Sequence, residues 1–170
     1  MHVSEKIVPL NKKILLSLLI IFICFLLDRL TKIYTIKFLI ENKIDNYYIN
    51  EFFNLTLTWN RGIAFGLFQS EDLFYHLISF LIFLIILLII FLIIKSKLIF
   101  EIVLYSMITG GALGNFFDRI YYRAVPDFID LHYQNFHWFT FNVSDICISV
   151  AIILLLIFDI FNVNKKILEK

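Results

Sequence analysis

Four apolar segments dominate the pattern of hydrophobic and polar positions along the chain. They cover about residues 14–40, 73–94, 98–117 and 139–161. A helix needs about 20 mostly apolar residues to cross roughly 30 Å of hydrocarbon, and each segment is about that long. The pattern therefore predicts an integral membrane protein that is mainly α, in which residues 1–170 form one domain with four transmembrane helices.

The composition agrees with this pattern. Of 170 residues, 61% are apolar and 17% are charged, so no large water-soluble domain fits beside the spans. The first apolar run follows Lys12 and Lys13 as in a signal peptide, but no small residues offer a cleavage site, and we expect an uncleaved span. A net charge of +1 excludes a protein that binds nucleic acid through general basicity. Cys24 and Cys147 lie in apolar runs, where a thiol behaves as a small hydrophobe.

Lysines in the short flanks predict the orientation. They lie before the first span, between the second and third spans, and after the fourth span: Lys6, Lys12, Lys13, Lys95, Lys97, Lys165, Lys166 and Lys170. Short cytoplasmic segments are enriched in Lys and Arg, so all three flanks belong on the cytoplasmic side. Both termini are then cytoplasmic, and the outer segments are about residues 41–72 and 118–138.

The first outer segment contains a pattern with a period of two. From Phe53 to Asn60, apolar residues alternate strictly with Asn or Thr. Such alternation predicts a half-buried strand. We expect a small sheet within residues 41–72 at the outer interface, where Trp and Tyr are favourable. The alternation alone is equally consistent with an ordinary interfacial hairpin.

Polar residues within the first span need a physical reason, because charge at membrane depth costs free energy. Asp28 and Lys32 have i,i+4 spacing with the acid first, the favourable arrangement for a helical ion pair. This pair either serves a site or only neutralises itself near the interface.

The third span ends in a cluster of small and polar residues. Gly110 and Gly114 have the spacing that lets two helices approach closely. A neighbouring stripe at helical spacing is polar or small and contains Gly111, Asn115, Asp118 and Arg119. Packing explains the glycines, and an ion pair between Asp118 and Arg119 at the membrane rim is one explanation of the charges.

The fourth span begins with polar residues that share one helical face, Asn142, Asp145 and Ser149. A polar N-cap with an acid in the first turn is ordinary helix-start chemistry. However, Asp28, Asp118, Asp127 and Asp145 all fall near the outer ends of spans, so acids collect at one membrane depth.

Acids at one depth are consistent with proton or ion transport, metal binding or acid–base hydrolysis. Two carboxylates held close together share a proton, so one can deprotonate a water while the other protonates the leaving group, as in aspartic proteases. His132 and His137 occupy a short aromatic segment, interpreted as a loop, without repeated ligand spacing, so we expect interfacial histidines and no metal site. The inner halves of the second and third spans are almost wholly apolar, which gives a proton-coupled transporter no visible cytoplasmic path. A noncatalytic membrane scaffold is a third possibility.

The arrangement of motifs resembles the lipoprotein signal peptidase family, also called signal peptidase II, over nearly the whole chain. Four motifs stand in the family's order: Asp28-Arg-Leu-Thr-Lys32; Asn60-Arg-Gly-Ile-Ala-Phe65; Gly110 to Arg119 with Val125-Pro-Asp-Phe128; and Phe141-Asn-Val-Ser-Asp145. The resemblance implies four helices with a small extracytoplasmic β-cradle. It also implies an aspartic endopeptidase of the bacterial cytoplasmic membrane that cuts diacylglyceryl-modified prolipoproteins before the lipidated cysteine, with its active site at the outer face.

The resemblance also implies roles for individual residues. Asp127 and Asp145 match the family's catalytic dyad. Residues that match positions lining the site and holding the substrate backbone are Asn60, Asn115, Arg119 and Asn142. Supporting positions are Asp28, Lys32, Gly111 and Asp118, of which Asp118 is interpreted as structural or as orienting Arg119. The implied partners are prolipoproteins and membrane lipids; we expect no metal or cofactor, no nucleic acid, and a monomer.

Three positions depart from the family's usual pattern. Arg123 stands where the family usually has glycine, and Pro126 fixes φ and removes a donor directly before Asp127. These two changes affect the expected conformation of the chain before the catalytic aspartate. Ser144 replaces a common alanine, a change of similar size that we expect to be tolerated.

Overall fold

The computed structural model describes residues 9–62 and 72–168, which contain four helices and four strands. In chain order, the elements are α1 (Leu10–Glu41), β1 (Asn46–Tyr48), β2 (Phe53–Asn60), α2 (Asp72–Lys95), α3 (Ile99–Tyr122), β3 (Val125–Tyr133), β4 (Phe136–Phe141) and α4 (Val143–Leu168). All four helices are long and apolar enough to cross a membrane. The prediction of a mainly α membrane protein with a small sheet is confirmed.

The α3 helix lies at the centre of the helical bundle and packs against α1, α2 and α4. About half of its span is buried, whereas the spans of the other three helices are mostly exposed. Large apolar side chains cover the outer surfaces of α1, α2 and α4. This distribution suits a bundle in lipid, where apolar surface can face hydrocarbon and the tightest packing lies between helices.

Glycines allow α1 and α4 to approach α3 closely. A Cβ atom at Gly110 would lie 2.7 Å from Cβ of Cys24 on α1, and one at Gly111 would lie 2.7 Å from the carbonyl oxygen of Ser144 on α4. A Cβ at Gly114 would collide with the side chains of both Ser144 and Asp28. The close approach predicted from the spacing of Gly110 and Gly114 is therefore confirmed, and it involves two neighbouring helices.

The strands form one antiparallel sheet in the order β1-β2-β3-β4. In the central pair, Asn54 lies opposite Asp130 and Thr58 lies opposite Asp127, with a bulge on β2 between these pairings. The β4 strand pairs with β3 only from Ile129 onward. The sheet therefore joins the first outer segment to the second.

Two boundaries predicted from the pattern are wrong. The fourth apolar segment was predicted to be helical from about residue 139, but Phe136–Phe141 forms β4 and the helix begins at Val143. The aromatic segment with His132 and His137 was interpreted as a loop, but it lies in β3 and β4. A short run of aromatic and apolar residues has no periodicity that distinguishes a buried strand from a helix, so pairing with β3 decided the outcome. The α3 helix also extends beyond residue 117, to Tyr122.

The turn from α3 into β3 is made by Arg123, which has a left-handed conformation with φ 53° and ψ 25°. This region favours glycine, the residue that the resembled family usually has at this position. Pro126 follows on β3, opposite Trp59 of β2. Because β4 has not yet joined β3 at this point, the missing donor of Pro126 leaves no ladder hydrogen bond to β4 unmade.

Candidate active site

The Asp127 carboxylate lies on β3 and is 3% exposed. Its Oδ2 accepts a hydrogen bond of 3.0 Å from the side-chain amide of Asn60, at the end of β2, and its Oδ1 accepts one of 2.6 Å from the amide of Asn142. The oxygen of the Asn60 side chain accepts a hydrogen bond from the backbone N–H of Gly62. This arrangement fixes the amide of Asn60 so that its N–H group points to Asp127.

The Asp145 carboxylate lies in the first turn of α4 and is part of a reciprocal helix cap. Oδ1 of Asn142 accepts a hydrogen bond of 3.1 Å from the backbone N–H of Asp145, and Oδ2 of Asp145 accepts one of 3.1 Å from the backbone N–H of Asn142. This is a capping box with Asn and Asp in place of the usual Ser or Thr and Glu. Because its amide N–H group also binds Asp127, Asn142 joins the two carboxylates.

The pKa of Asp127 is raised to about 6, first by burial and then by the negative charge of Asp145. Hydrogen bonds from Asn60 and Asn142 lower it and offset part of this shift. A carboxyl that is both desolvated and next to a second carboxylate retains its proton at a higher pH than an ordinary aspartic acid. Burial and the charge of Asp145 thus both favour the protonated form of Asp127.

A buried cluster of four charges lies beside this pair and joins α1 to α3. The Arg29 guanidinium donates to Asp118 at 2.5 and 2.7 Å and to Asp28 at 2.7 Å. The Lys32 ammonium donates to Asp28 at 2.9 Å and to Asp118 at 2.6 Å. Both acids are completely buried, and the two cations balance their charges. The ion pair predicted for Asp28 and Lys32 is confirmed as one part of this cluster.

Asn115 connects the charge cluster to Asp145. Its side-chain oxygen accepts a hydrogen bond of 2.9 Å from Lys32, and its side-chain N–H group donates one of 2.8 Å to Oδ1 of Asp145. An ammonium group can only donate, so Lys32 fixes the orientation of the Asn115 amide. On α4, the backbone N–H of Ser144 donates to Asp28 at 3.0 Å. The start of α4 is therefore held from both α1 and α3.

Arg119 points away from the charge cluster. Its guanidinium donates to the carbonyl oxygen of Gly62 at 2.7 Å and to that of Asn115 at 3.4 Å. Its own carbonyl oxygen accepts a hydrogen bond from the Tyr75 hydroxyl on α2. An ion pair between Asp118 and Arg119, one of the explanations that the sequence allowed, is not formed, because Asp118 is bound by Arg29 and Lys32 across the helix interface.

The structure thus divides the sequence-predicted residues into two adjoining groups. One group surrounds the acid pair: Asn60, Asn115, Arg119, Asp127, Asn142 and Asp145. The other supports it: Asp28, Lys32, Gly111 and Asp118. Sequence reasoning did not single out Arg29, although its charge at membrane depth was the same signal that identified Asp28 and Lys32.

The two histidines expected in an aromatic loop lie on strands instead. His132 is on β3 and is paired in register with His137 on β4, and their rings stack with centroids 5.2 Å apart. His132 is 5% exposed and is therefore buried. The same strand pairing that replaced the loop accounts for this difference.

Two solved structures with this fold are bacterial membrane enzymes. One bacterial membrane enzyme aligns with a TM-score of 0.72 and 28% identity and covers 88% of this chain and 90% of its own. A second aligns with a TM-score of 0.65 and 29% identity over 83% and 90% of the two chains. The fold and the buried polar site together define a polytopic membrane enzyme.

The family follows from sequence similarity. Residues 20–161 match the family model for signal peptidase (SPase) II. A lipoprotein signal peptidase of Pelagibacter ubique is 48% identical over 161 residues, which are 94% of this chain and 96% of the relative. One of Clostridium acetobutylicum is 37% identical over 152 residues, 89% and 97% of the two chains. The chain belongs to the signal peptidase II family and is a peptidase.

Proposed function

We propose that this membrane peptidase removes signal peptides from prolipoproteins by aspartic chemistry, with Asp127 and Asp145 as its catalytic dyad. The observation that carries the proposal is the link through Asn142, whose side-chain amide donates to the Asp127 carboxylate and whose backbone N–H donates to the Asp145 carboxylate. Family membership supports the removal of signal peptides from prolipoproteins. It gives no support to a proton-coupled transporter.

The dyad would activate a water molecule between its two carboxyl groups. The ionised carboxyl takes a proton from the water as the water oxygen attacks the scissile carbonyl carbon, and the protonated carboxyl donates its proton to the carbonyl oxygen. Collapse of the tetrahedral intermediate breaks the C–N bond, and a proton from the dyad passes to the departing amine. The raised pKa of Asp127 supports a shared proton in the resting dyad.

The neighbouring amides would hold the dyad ready for this reaction. Asn60 and Asn142 donate to Asp127, and Asn115 donates to Asp145, so each carboxylate has little rotational freedom before substrate arrives. Preorganised dipoles of this kind lower the cost of reorganisation during the reaction. We propose that the same three asparagines and Arg119 also contact the substrate backbone.

We further propose that residues 1–170 act as one monomeric domain with both termini in the cytoplasm. The lysine-rich flanks then lie inside, and the dyad lies at the outer ends of the helices. A diacylglyceryl-modified precursor would be held in the same membrane by its acyl chains and its apolar signal segment. It would reach the dyad by lateral diffusion and be cut before the lipidated cysteine.

The test is cleavage of a diacylglyceryl-modified precursor peptide by the purified full chain. Asp127→Asn and Asp145→Asn should each lower the rate by about 10²–10⁴-fold, because each removes one group that transfers protons. Asp45→Asn is the matched control, since Asp45 lies in the exposed connection before β1. Size-exclusion profiles and melting temperatures of all three variants would show that the protein still folds.

Two results would contradict the proposal. Cleavage at near wild-type rate by either folded dyad variant would exclude aspartic chemistry at these residues. Cleavage at a bond other than the one before the lipidated cysteine would leave the dyad intact but would reject the assigned cleavage site.

A further inference from the structure

Three metal-ligating side chains meet on the sheet away from the dyad. Asp130 and His132 are two residues apart on β3, and His137 lies opposite His132 on β4. One potential ligand atom from each residue lies within 4.8 Å of the other two. In the described part of the chain, this group is the one that brings together three such side chains.

The cluster faces the opposite side of β3 from Asp127. Successive side chains of a strand alternate between faces, so Asp127 shares a face with Ile129 and Leu131, whereas Asp130 shares the other face with His132. The bulges that flank this stretch lie on β2 and β4, so β3 itself keeps a regular alternation. A ligand bound here would therefore not touch the dyad.

Burial distinguishes this cluster from a surface ion pair. Asp130 is 3% exposed and its Oδ2 lies 2.7 Å from Nδ1 of His137. His132 is 5% exposed, and its Nδ1 is buried with no hydrogen-bond partner. Asn54, opposite Asp130 on β2, likewise has a buried Oδ1 without a partner. Unpaired buried polar atoms are costly, so two of them beside one buried acid indicate that something else binds there.

We propose that Asp130, His132 and His137 form a binding site for a zinc-like divalent cation. Two imidazoles and one carboxylate suit Zn²⁺ and neighbouring first-row metals better than Ca²⁺ or Mg²⁺, which prefer oxygen ligands alone. The side-chain oxygen of Asn54 or a water would complete a tetrahedral set. The ion would tie β4 to β3, the strand that carries Asp127.

Only a small movement is needed to form the site. Tetrahedral ligands at about 2.0–2.1 Å from zinc lie about 3.4 Å from each other. The present separations are at most 4.8 Å, so no two ligand atoms need to approach each other by more than about 1.4 Å. The His137 side chain is about half exposed and free to make this adjustment.

Co²⁺ is a suitable probe, because a tetrahedral site gives it intense visible absorption bands. We expect the untagged full chain in detergent to bind one Co²⁺ per chain, with these bands displaced by added Zn²⁺, and Zn²⁺ to raise the melting temperature. His137→Gln and Asp130→Asn should each abolish the bands. His76→Gln is the matched control because His76 is an exposed histidine on α2, outside the cluster, and it should leave them unchanged.

His137→Gln also guards against misfolding, because the His137 side chain is about half exposed and its replacement should leave the elution profile unchanged. Absence of saturable Co²⁺ binding in the wild type would overturn the proposal. Binding that persists in the His132→Gln/His137→Gln double variant would overturn it as well. Charge-transfer bands from a Co–thiolate bond would also do so, because they would place the ion on Cys24 or Cys147. None of these results bears on the dyad.

Discussion

A single side chain, Asn142, carries out two functions that are usually separate. It caps α4 through its side-chain oxygen and binds Asp127 through its side-chain nitrogen. The amide carries a donor and an acceptor on two separate atoms, whereas an ionised Asp only accepts and the Ser hydroxyl has a single oxygen, so either residue at this position would lose one contact. The identity of the cap residue therefore links the start of a helix to the geometry of the proposed dyad.

At the same scale, the protonation of Asp127 should control stability. The pKa in the folded protein, about 6, lies above the ordinary value of 3.8. Stability contributed by the protonated form is therefore complete below about pH 4 and is lost as the pH rises through about 6. At about 1.4 kcal/mol per pKa unit, the loss is about 3 kcal/mol at most.

Asp127→Asn should remove this pH dependence. Melting temperatures measured from pH 4 to pH 8 in detergent should fall more steeply for the wild type than for Asp127→Asn, with the two curves diverging between about pH 4 and pH 6. Asp45→Asn provides the comparison for an exposed acid. Parallel curves for wild type and Asp127→Asn would show that burial does not hold the proton on this residue.

Among the elements, α3 determines how closely α1 and α4 can approach each other around the site. Its glycines bring α1 and α4 near enough for Lys32, Asn115 and Asp145 to form one hydrogen-bonded chain. Glycine in the middle of a helix costs about 0.5–1 kcal/mol relative to alanine. In this bundle, close packing and the polar contacts it permits offset that cost.

The Gly111→Ala substitution separates the effect of helix propensity from the effect of close helix packing. Helix propensity alone predicts a gain of about 1 kcal/mol, but the new Cβ would lie 2.7 Å from the Ser144 carbonyl oxygen and would push α4 away. We expect a lower melting temperature and a loss of precursor cleavage of about tenfold or more, because a misplacement of about 1 Å can cost about 10²-fold. Ala112→Gly, at the adjacent position, is the control for helix propensity. A more stable and fully active Gly111→Ala protein would refute this role of Gly111.

For the whole molecule, the buried charge cluster is what joins the sequence-distant helices around the site. Asp118 binds two cations of α1, Arg29 and Lys32, and the cluster of two acids and two cations has no net charge. A buried ion pair need not be more stable than an apolar substitute, but removal of one partner leaves an uncompensated charge. Any single substitution that changes the net charge of the cluster should therefore destabilise the protein.

Asp118→Asn should destabilise the protein by about 3–5 kcal/mol, since it leaves Arg29 and Lys32 with one buried acid. The exposed pair of Lys37 and Glu41, 3.9 Å apart, supplies the control: Glu41→Gln should not change stability measurably. Denaturant titrations in detergent would measure both. At temperatures where Asp118→Asn remains folded, its cleavage rate should stay close to that of the wild type. A large loss of cleavage rate without a loss of stability would instead show that Asp118 takes part in catalysis.

The orientation of the whole molecule is also testable. If the lysine-rich flanks are cytoplasmic, a fluorescent protein fused to the C-terminus should fold and fluoresce, whereas an alkaline phosphatase fusion there should be inactive. A phosphatase inserted after Asn50, in the outer connection between β1 and β2, should be active. The reverse pattern would place the dyad on the cytoplasmic side.

The helical part of the fold could be predicted from sequence because a membrane requires long apolar segments and no tertiary contact is needed to recognise them. The acids and amides of the site could be found for a related reason, since polar groups at membrane depth are expensive and rare. Their assignment to a dyad came from the resemblance to a family, because spacing alone did not choose among the four acids.

Tertiary structure decided which groups meet. The sequence allowed an ion pair between Asp118 and the neighbouring Arg119, but the partners of Asp118 are Arg29 and Lys32 on another helix. His132 was expected in a loop, but it lies on β3, which pairs with the distant β2 and with the adjacent β4. Periodicity reports the environment of one segment at a time, whereas strand pairing and ion pairing depend on which segments the packed bundle brings together.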